Sequence, residues 1–158
     1  MRVYADTSFL VRLVTEESGT EAAQAEYRRL GRPPLFYLPL HSLEVTNAIR
    51  QRAFHLRRSA PASERAAIKR EMEIALSLLS KFIARRVLIE SSVDMDKAIE
   101  TARALSAKHT ERLGCRGFDL LHVALALELE CETFLTADRI QGALARAEGL
   151  DVTVSTDQ

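Results

Sequence analysis

Three acidic residues stand just after short apolar runs of the sequence, where an α/β fold builds its functional sites. Asp6, Glu44 and Asp138 each follow a run that predicts a buried strand, with Glu44 in the first turns of the next helix. In an open parallel sheet, ligands bind in the crevice outside the carboxyl ends of the strands. We therefore expect these three carboxylates to lie along one rim of the sheet.

A fourth acid, Asp119, opens a predicted helix that is apolar nearly all round. An acid in this position often serves only to cap the free amides of the helix and to complement its dipole. Considered alone, each of the four acids could equally have only such a capping or turn role. Their common placement after predicted strands and at a helix start favours one shared site that includes Asp119.

Carboxylates that share a cleft repel each other, and without a counter-charge at least one of them has a raised pKa and stays protonated. A divalent cation removes this conflict, and a donor set made only of oxygen atoms suits Mg²⁺ or Mn²⁺. The predicted chemistry is metal-assisted hydrolysis of a phosphodiester bond, in which a metal-activated water is the nucleophile.

Strand and helix signals alternate along the chain and predict the elements that position these acids. The predicted strands are short and lie at residues 3–5, 35–38, 87–89, 133–136 and 152–154. Parallel neighbours need helical crossovers, which cover both faces of the sheet. We predict a single domain over residues 1–158, with three α/β/α layers and a central, mostly parallel sheet of four to five short strands.

The helices between the strands are predicted from apolar spacing. Two of them cover residues 96–108 and 119–130, and a loop over residues 116–118 leads into the second. Residues 40–86 form a helical arm inserted between strands and broken at residues 59–63.

Charge is unevenly distributed although the chain has 22 basic and 22 acidic residues. Residues 50–90 hold ten basic and four acidic side chains, while residues 117–158 hold two and eight. Because the 22 basic and 22 acidic residues cancel, the net charge of the chain indicates neither a nucleic-acid nor a membrane partner. The arm is either a surface that neutralises phosphates or an ordinary solvated helix pair. Its basic residues include Arg50, Arg52, Arg57, Arg58, Lys69 and Arg70.

Several classes of protein are excluded or disfavoured by the sequence. No stretch approaches the roughly 20 apolar residues of a membrane-spanning helix, and Asp6 interrupts any signal-peptide segment, so a cytoplasmic protein is expected. Cys115 and Cys131 are far apart and outside any metal-binding motif, which predicts reduced, structural cysteines. A phosphate-cradling glycine loop and a Ser/His/Asp triad are also absent from the sequence.

Four segments carry a resemblance to a known family. The segment Tyr4–Leu13 resembles the opening motif of PIN-domain nucleases, in particular the VapC toxins of toxin-antitoxin pairs. The segments Leu43–Ala48, Phe118–Ala126 and Phe134–Asp138 are similar to the later motifs of that family and occur in the same order. Each motif alone is weak, but together they span almost the whole chain and form a strong signal.

The resemblance implies a PIN-like fold and a metal-dependent endoribonuclease that acts as the toxin of a pair. It implies that Asp6, Glu44, Asp119 and Asp138 form an acidic quartet around Mg²⁺ or Mn²⁺, with Asp6 and Asp119 as the most direct ligands. It further implies an RNA substrate, a homodimer and a cognate antitoxin protein. Gln141 departs from the pattern, because many relatives carry an aromatic residue at this position.

Hydroxyl and basic side chains near the acids are candidates for substrate binding. Thr7, Ser8 and Thr136 are expected to bond to a carboxylate, to a metal-bound water or to a scissile phosphate, or else only to cap helices. Arg50 is assigned to substrate binding with them. His122 lies one turn after Asp119, and its leucine and alanine neighbours predict a packed, hydrogen-bonded structural histidine.

Two other classes of function compete with the nuclease. A catalytically silent PIN-like module would keep the fold and use the basic arm to hold RNA or protein, although all four acids remain. A phosphohydrolase or receiver-like domain would use Asp6 as a phosphoryl acceptor. The dehalogenase pattern needs a second Asp where this chain has Ser8, and receivers need a late lysine, whereas no lysine follows Lys108. The third class is therefore disfavoured.

Overall fold

The computed structural model describes residues 1–154, in which five strands form a single sheet. The strands are β1 (Val3–Ala5), β2 (Leu35–Tyr37), β3 (Leu88–Glu90), β4 (Thr133–Thr136) and β5 (Asp151–Val154). Neighbouring strands are all parallel, in the order β3-β2-β1-β4-β5. The predicted parallel sheet is therefore confirmed, and each predicted strand end lies within one residue of the observed one.

Helices connect the strands and cover both faces of the sheet. Within residues 1–154 they are α1 (Thr7–Val14), α2 (Thr20–Arg29), α3 (Pro39–Ser59), α4 (Arg65–Ala84), α5 (Met95–Leu113), α6 (Gly117–Glu128) and α7 (Arg139–Ala147). The predicted α/β/α architecture is confirmed. None of these helices combines the length and the apolar character that are needed to cross a bilayer.

Alternating side chains of β1 divide the core into two halves. Val3 and Ala5 are fully buried among side chains of α1, α2, α3 and α4. Tyr4, between them, points to the other face and is fully buried among side chains of α5, α6 and α7. Since successive residues of a strand face opposite sides, three residues of β1 tie both helical layers to the sheet.

The start of α6 differs from the prediction. Gly117 and Phe118, expected in a loop, are helical, and Asp119 is the third residue of the helix and not its first. The Asp119 carboxylate accepts a hydrogen bond from the backbone N–H of Arg116 at 2.9 Å, so the acid caps the helix from inside its first turn. The helix also ends earlier than predicted, before Glu130, whose φ of 52° is left-handed.

The helix α5 is longer than predicted. It continues past Lys108 to Leu113 and ends where Gly114 adopts a φ of 69°. Glycine takes this left-handed conformation without a steric penalty, so the first glycine after the apolar pattern sets the end of the helix. This rule would have located the boundary from the sequence alone.

The predicted arm is the pair α3 and α4, which lies between β2 and β3 in the chain. A short 3₁₀ turn over Ala62–Glu64 separates the two helices, at the predicted break. Each helix buries a narrow stripe, which includes Ile49 of α3 and Leu79 of α4. The remaining faces of both helices are largely exposed, and they carry the basic residues.

The two cysteines are structural, as predicted. Cys115 and Cys131 are both buried and neither forms a disulfide. Burial raises the pKa of the Cys131 thiol to about 12, so this side chain is a neutral thiol at physiological pH. Both cysteines pack in the core half that contains Tyr4.

We predict that Phe134→Ala destabilises the protein by about 3 to 5 kcal/mol, because it leaves a large cavity in the core. Phe134 is fully buried and stacks on Tyr4 with ring centroids 5.4 Å apart. The matched control is Phe54→Ala, since Phe54 is 55% exposed on the arm, and its effect is expected within about 0.5 kcal/mol. Chemical unfolding measures both values, and an equal loss in the two variants would contradict the assigned core.

Candidate active site

All four predicted acids line one pocket at the carboxyl ends of β1 and β4. The pocket has a volume of about 380 Å³. Other residues of its wall are Thr7, Ser8, Arg116, Phe118, His122 and Gln141. The parallel sheet thus brings together residues that are more than 100 positions apart in the sequence. Their positions after the predicted strands led us to expect this.

Asp6 lies at the bottom of this pocket and is only 3% exposed. Its carboxylate accepts a hydrogen bond from the Phe9 amide at 2.8 Å and thereby caps α1. The hydroxyl groups of Ser8 and Thr136 each donate to the same carboxylate at 2.7 Å. Burial raises the pKa of Asp6 above its usual value, although these hydrogen bonds and the nearby His122 act in the opposite direction.

A hydrogen bond joins the start of α1 to the segment that follows β4, and a second one closes that segment. The Ser8 hydroxyl accepts from the Ala137 amide, and the Thr136 hydroxyl accepts from the Asp138 amide, both at 2.9 Å. Gln141 is buried, and its side-chain oxygen lies 3.1 Å from the Thr136 hydroxyl. This glutamine, which departs from the family pattern, therefore takes part in the polar network beneath Asp6.

Asp138 and Asp119 share one basic side chain. The Arg116 guanidinium bonds to both oxygens of Asp119, at 3.0 and 3.2 Å, and to Asp138 at 3.1 Å. Asp138 also caps α7 by accepting from the amides of Ile140 and Gln141. Because the Arg116 side chain is 75% exposed, this cation is held at the mouth of the pocket and has room to swing into solvent.

Glu44 is held by hydrogen bonds to side chains of α1 and α6. One of its oxygens accepts from the Thr7 hydroxyl and pairs with Nε2 of His122, both at 2.8 Å. Nδ1 of His122 bonds to the Tyr4 hydroxyl at 2.8 Å. Burial alone raises the pKa of Glu44, but the bonds to His122 and Thr7 outweigh it and lower this pKa below its usual value.

The ionised Glu44 carboxylate only accepts hydrogen bonds, so Nε2 of His122 is the donor of that pair. In the neutral ring, Nδ1 is then the acceptor for the Tyr4 hydroxyl. His122 is buried and hydrogen-bonded as predicted, but one of its partners is a carboxylate of the site. The histidine therefore has a positioning role that the sequence pattern did not reveal.

His41 is a second buried histidine near the site. Its ring lies against those of Tyr4 and His122, with centroid distances of 5.0 and 5.4 Å. Nδ1 bonds to the Leu38 amide, whereas Nε2 has no hydrogen-bond partner within residues 1–154. Burial lowers the pKa of His41 to about 3, so the ring is neutral at physiological pH. The His41 ring packs against the Tyr4 and His122 rings, which are hydrogen-bonded to each other beside Glu44.

Sequence reasoning found the four acids and missed part of their surroundings. Thr7, Ser8 and Thr136 were expected near them, and all three hydroxyls bond to site carboxylates. Arg116 and His122 flank Asp119 at three residues before and after it, and this helical spacing was a usable signal. Arg50 does not line the pocket and lies instead in a separate groove between α3 and α4.

The donor set fits a hard divalent cation, because four carboxylates from separate elements line one pocket. As the side chains are arranged, residues 1–154 hold no group of three or more His, Cys, Asp or Glu side chains placed for a metal ion. The Arg116 guanidinium supplies the positive charge between Asp119 and Asp138 in this arrangement. Binding of a metal ion would therefore require this side chain to move aside.

A comparison with protein families identifies the class of this fold and site. The family model described as "PIN domain" matches residues 3–150, and the chain therefore belongs to the PIN domain family. PIN domains are generally nucleases. A comparison with curated proteins gives no significant match.

A solved structure shares the fold. The crystal structure of PAE2754 from Pyrobaculum aerophilum is similar to this chain with a TM-score of 0.56 and 16% sequence identity. The alignment covers 96% of this chain and 89% of that one. At this identity the similarity supports the arrangement of strands and helices, and it carries no residue-level assignment.

We predict that Asp6→Asn raises the unfolding temperature at pH 7 in the presence of a chelator. Because the pKa of Asp6 is raised in the folded protein, folding favours the protonated acid, and stability falls as the pH rises through this range. The neutral amide removes that penalty, so the difference between variant and wild type should vanish at about pH 3, below both pKa values.

The control for this measurement is Asp96→Asn, an exposed acid in the first turn of α5. Thermal unfolding across pH compares the two variants with the wild type. An Asp6→Asn protein that is less stable than the wild type at pH 7 would show that the hydrogen bonds of Asp6 outweigh its burial.

Proposed function

We propose that this protein is a metal-dependent endoribonuclease and the toxin component of a toxin-antitoxin pair. The observation that carries the proposal is the convergence of Asp6, Glu44, Asp119 and Asp138 on one pocket at the strand ends. Membership of a family of nucleases supports hydrolysis of a nucleic acid. RNA as the substrate and the toxin role rest on the resemblance of the four motifs to VapC proteins.

In this proposal Asp6 and Asp119 are the direct ligands of Mg²⁺ or Mn²⁺, and Glu44 and Asp138 complete the site. When bound, such a cation supplies Lewis-acid activation of water and of the scissile phosphate. The hydroxyls of Ser8 and Thr136 keep the Asp6 carboxylate in a fixed orientation. A metal ligand held in this way loses little rotamer entropy on binding.

Glu44 orients the attacking water and accepts its hydrogen bond. The His122 ring and the Thr7 hydroxyl both hold the same oxygen of Glu44, which leaves its second oxygen available to the pocket. Tyr4 fixes the His122 ring from the core side. The geometry of this carboxylate is therefore set by the packed interior and not by solvent.

Arg116 has two roles in this scheme. In the arrangement described it offsets the repulsion between Asp119 and Asp138. Released from that pair, its guanidinium offers several donors to the oxygens of a phosphate at the pocket mouth. The Arg116 side chain is 75% exposed, which leaves room for this exchange.

The partners and location of the protein are proposals of the same kind. A cognate antitoxin protein, a homodimer and a cytoplasmic location follow from the resemblance to VapC toxins. The residues proposed for substrate binding are Thr7, Ser8, Thr136 and Arg50.

The rival proposal is a catalytically silent PIN-like binding module. One observation favours it: the Arg116 guanidinium already neutralises two of the four acids, as a permanent structural ion pair would. Such a module has no need to bind a divalent ion through these side chains. Calorimetry with Mn²⁺ therefore separates the two proposals.

We expect the wild-type protein to cleave RNA in the presence of Mg²⁺ or Mn²⁺, and Asp6→Asn and Asp119→Asn to lose this activity. Calorimetry should show that the wild type binds Mn²⁺. The affinity for Mn²⁺ should fall by about tenfold to 100-fold in each variant, because a carboxylate ligand is lost. Asp96→Asn, a change of the same kind on an exposed surface, should behave as the wild type.

Full cleavage activity in both site variants would overturn the assignment of these acids. A wild-type protein that binds RNA but neither binds Mn²⁺ nor cleaves would favour the silent module.

A further inference from the structure

A second groove lies between α3 and α4, outside the carboxylate pocket. It has a volume of about 470 Å³, and no acidic residue among residues 1–154 lines its wall. Four arginines and an aromatic ring line it: Arg50, Phe54, Arg57, Arg58 and Arg65. We call this surface the arginine groove. Its composition combines positive charge with an aromatic side chain.

The basic residues of the arm fall into two groups in the structure. Arg52 is turned away, because it pairs with Glu17 at 3.4 Å and donates to the carbonyl of Glu16 at 2.7 Å. Lys69 pairs with Glu73 at 3.8 Å. In contrast, none of the four arginines of the groove forms an ion pair within residues 1–154. No carboxylate of the described residues therefore pairs with these four guanidinium groups.

Phe54 is the aromatic member of the groove and is 55% exposed. The Arg58 guanidinium lies 5.5 Å from the centre of its ring. An aromatic ring and an arginine placed together form a platform on which unpaired bases stack, with the cation close to the adjacent phosphates. Single-stranded nucleic acid is the class of ligand that uses both features at once.

We infer that the arginine groove binds a single-stranded segment of RNA that continues from the carboxylate pocket. This inference rests on the proposed function and adds a second contact region to it. The helix α3 carries Glu44 at the pocket and Arg50 and Arg57 in the groove. At 1.5 Å per residue, these arginines lie about 9 and about 20 Å beyond Glu44 along the helix axis.

The geometry favours a single strand over a duplex or an acidic protein. Paired bases in a duplex present no open face to Phe54, whereas an unpaired base does. An acidic protein segment would use the arginines but gain little from the exposed ring beside them. Because α3 contributes residues to both the groove and the pocket, one bound strand can contact both surfaces.

The test measures binding of a fluorescently labelled single-stranded RNA oligonucleotide by anisotropy, with a chelator present so that no cleavage occurs. Arg57→Gln/Arg58→Gln should bind about tenfold more weakly at moderate salt, and its logarithmic salt dependence should fall by about 1.4, as two phosphate contacts are lost. Phe54→Ala should also bind about tenfold more weakly, because a base loses its stacking partner.

The matched control is Arg28→Gln/Arg103→Gln, which removes the same charge from exposed positions on α2 and α5. It should bind RNA as the wild type does. Equal weakening in the control and the groove variant would overturn the inference, since it would show a general charge effect. Competition by polyglutamate as effective as that by unlabelled RNA would overturn it too and assign the groove to acidic proteins.

A failure of the groove assignment is distinguishable from a failure of the proposed function. If the wild type cleaves RNA while the groove variants bind like the control, only the groove assignment fails. If the wild type neither binds nor cleaves RNA, the proposed function itself fails, and the groove assignment fails with it.

Discussion

The repulsion among four carboxylates in one pocket is the constraint on which the rest of the site depends. The parallel sheet brings Asp6 and Asp138 together, because the ends of β1 and β4 lie side by side and both are followed by aspartates. Each acid must then find compensation from the fold. Buried charge without such compensation would cost several kcal/mol or force protonation.

The fold compensates the acids in three different ways. Asp6 is surrounded by hydroxyl and amide donors, Glu44 is paired with His122, and Asp119 and Asp138 share Arg116. Only the last of these partners is largely exposed. The inner part of the site is therefore fixed by packing, while its outer part is held by a side chain that can leave. This division suits the proposed function, in which the site admits a cation and a phosphate from solvent.

The sequence was sufficient to predict the sheet and the four acids, because both depend on local patterns. Short apolar runs locate the strands, Asp6 and Asp138 come within two residues of a strand end, and Glu44 and Asp119 lie in the first turns of helices. The partners of the acids were harder to predict, because they depend on which helix covers which face of the sheet. Tyr4 and His122 are 118 positions apart, and nothing in their local sequence shows that they meet. Helix ends were misplaced where a capping interaction decided them, as at Asp119.

The bond between the Thr136 hydroxyl and Asp6 joins residues 130 positions apart. During synthesis, the first strand leaves the ribosome long before its neighbour β4 exists, and until then Asp6 lacks both that donor and the strand beside it. A nascent chain that stops before β4 therefore lacks the assembled pocket, because Asp6 then has neither its neighbouring strand nor the Thr136 hydroxyl.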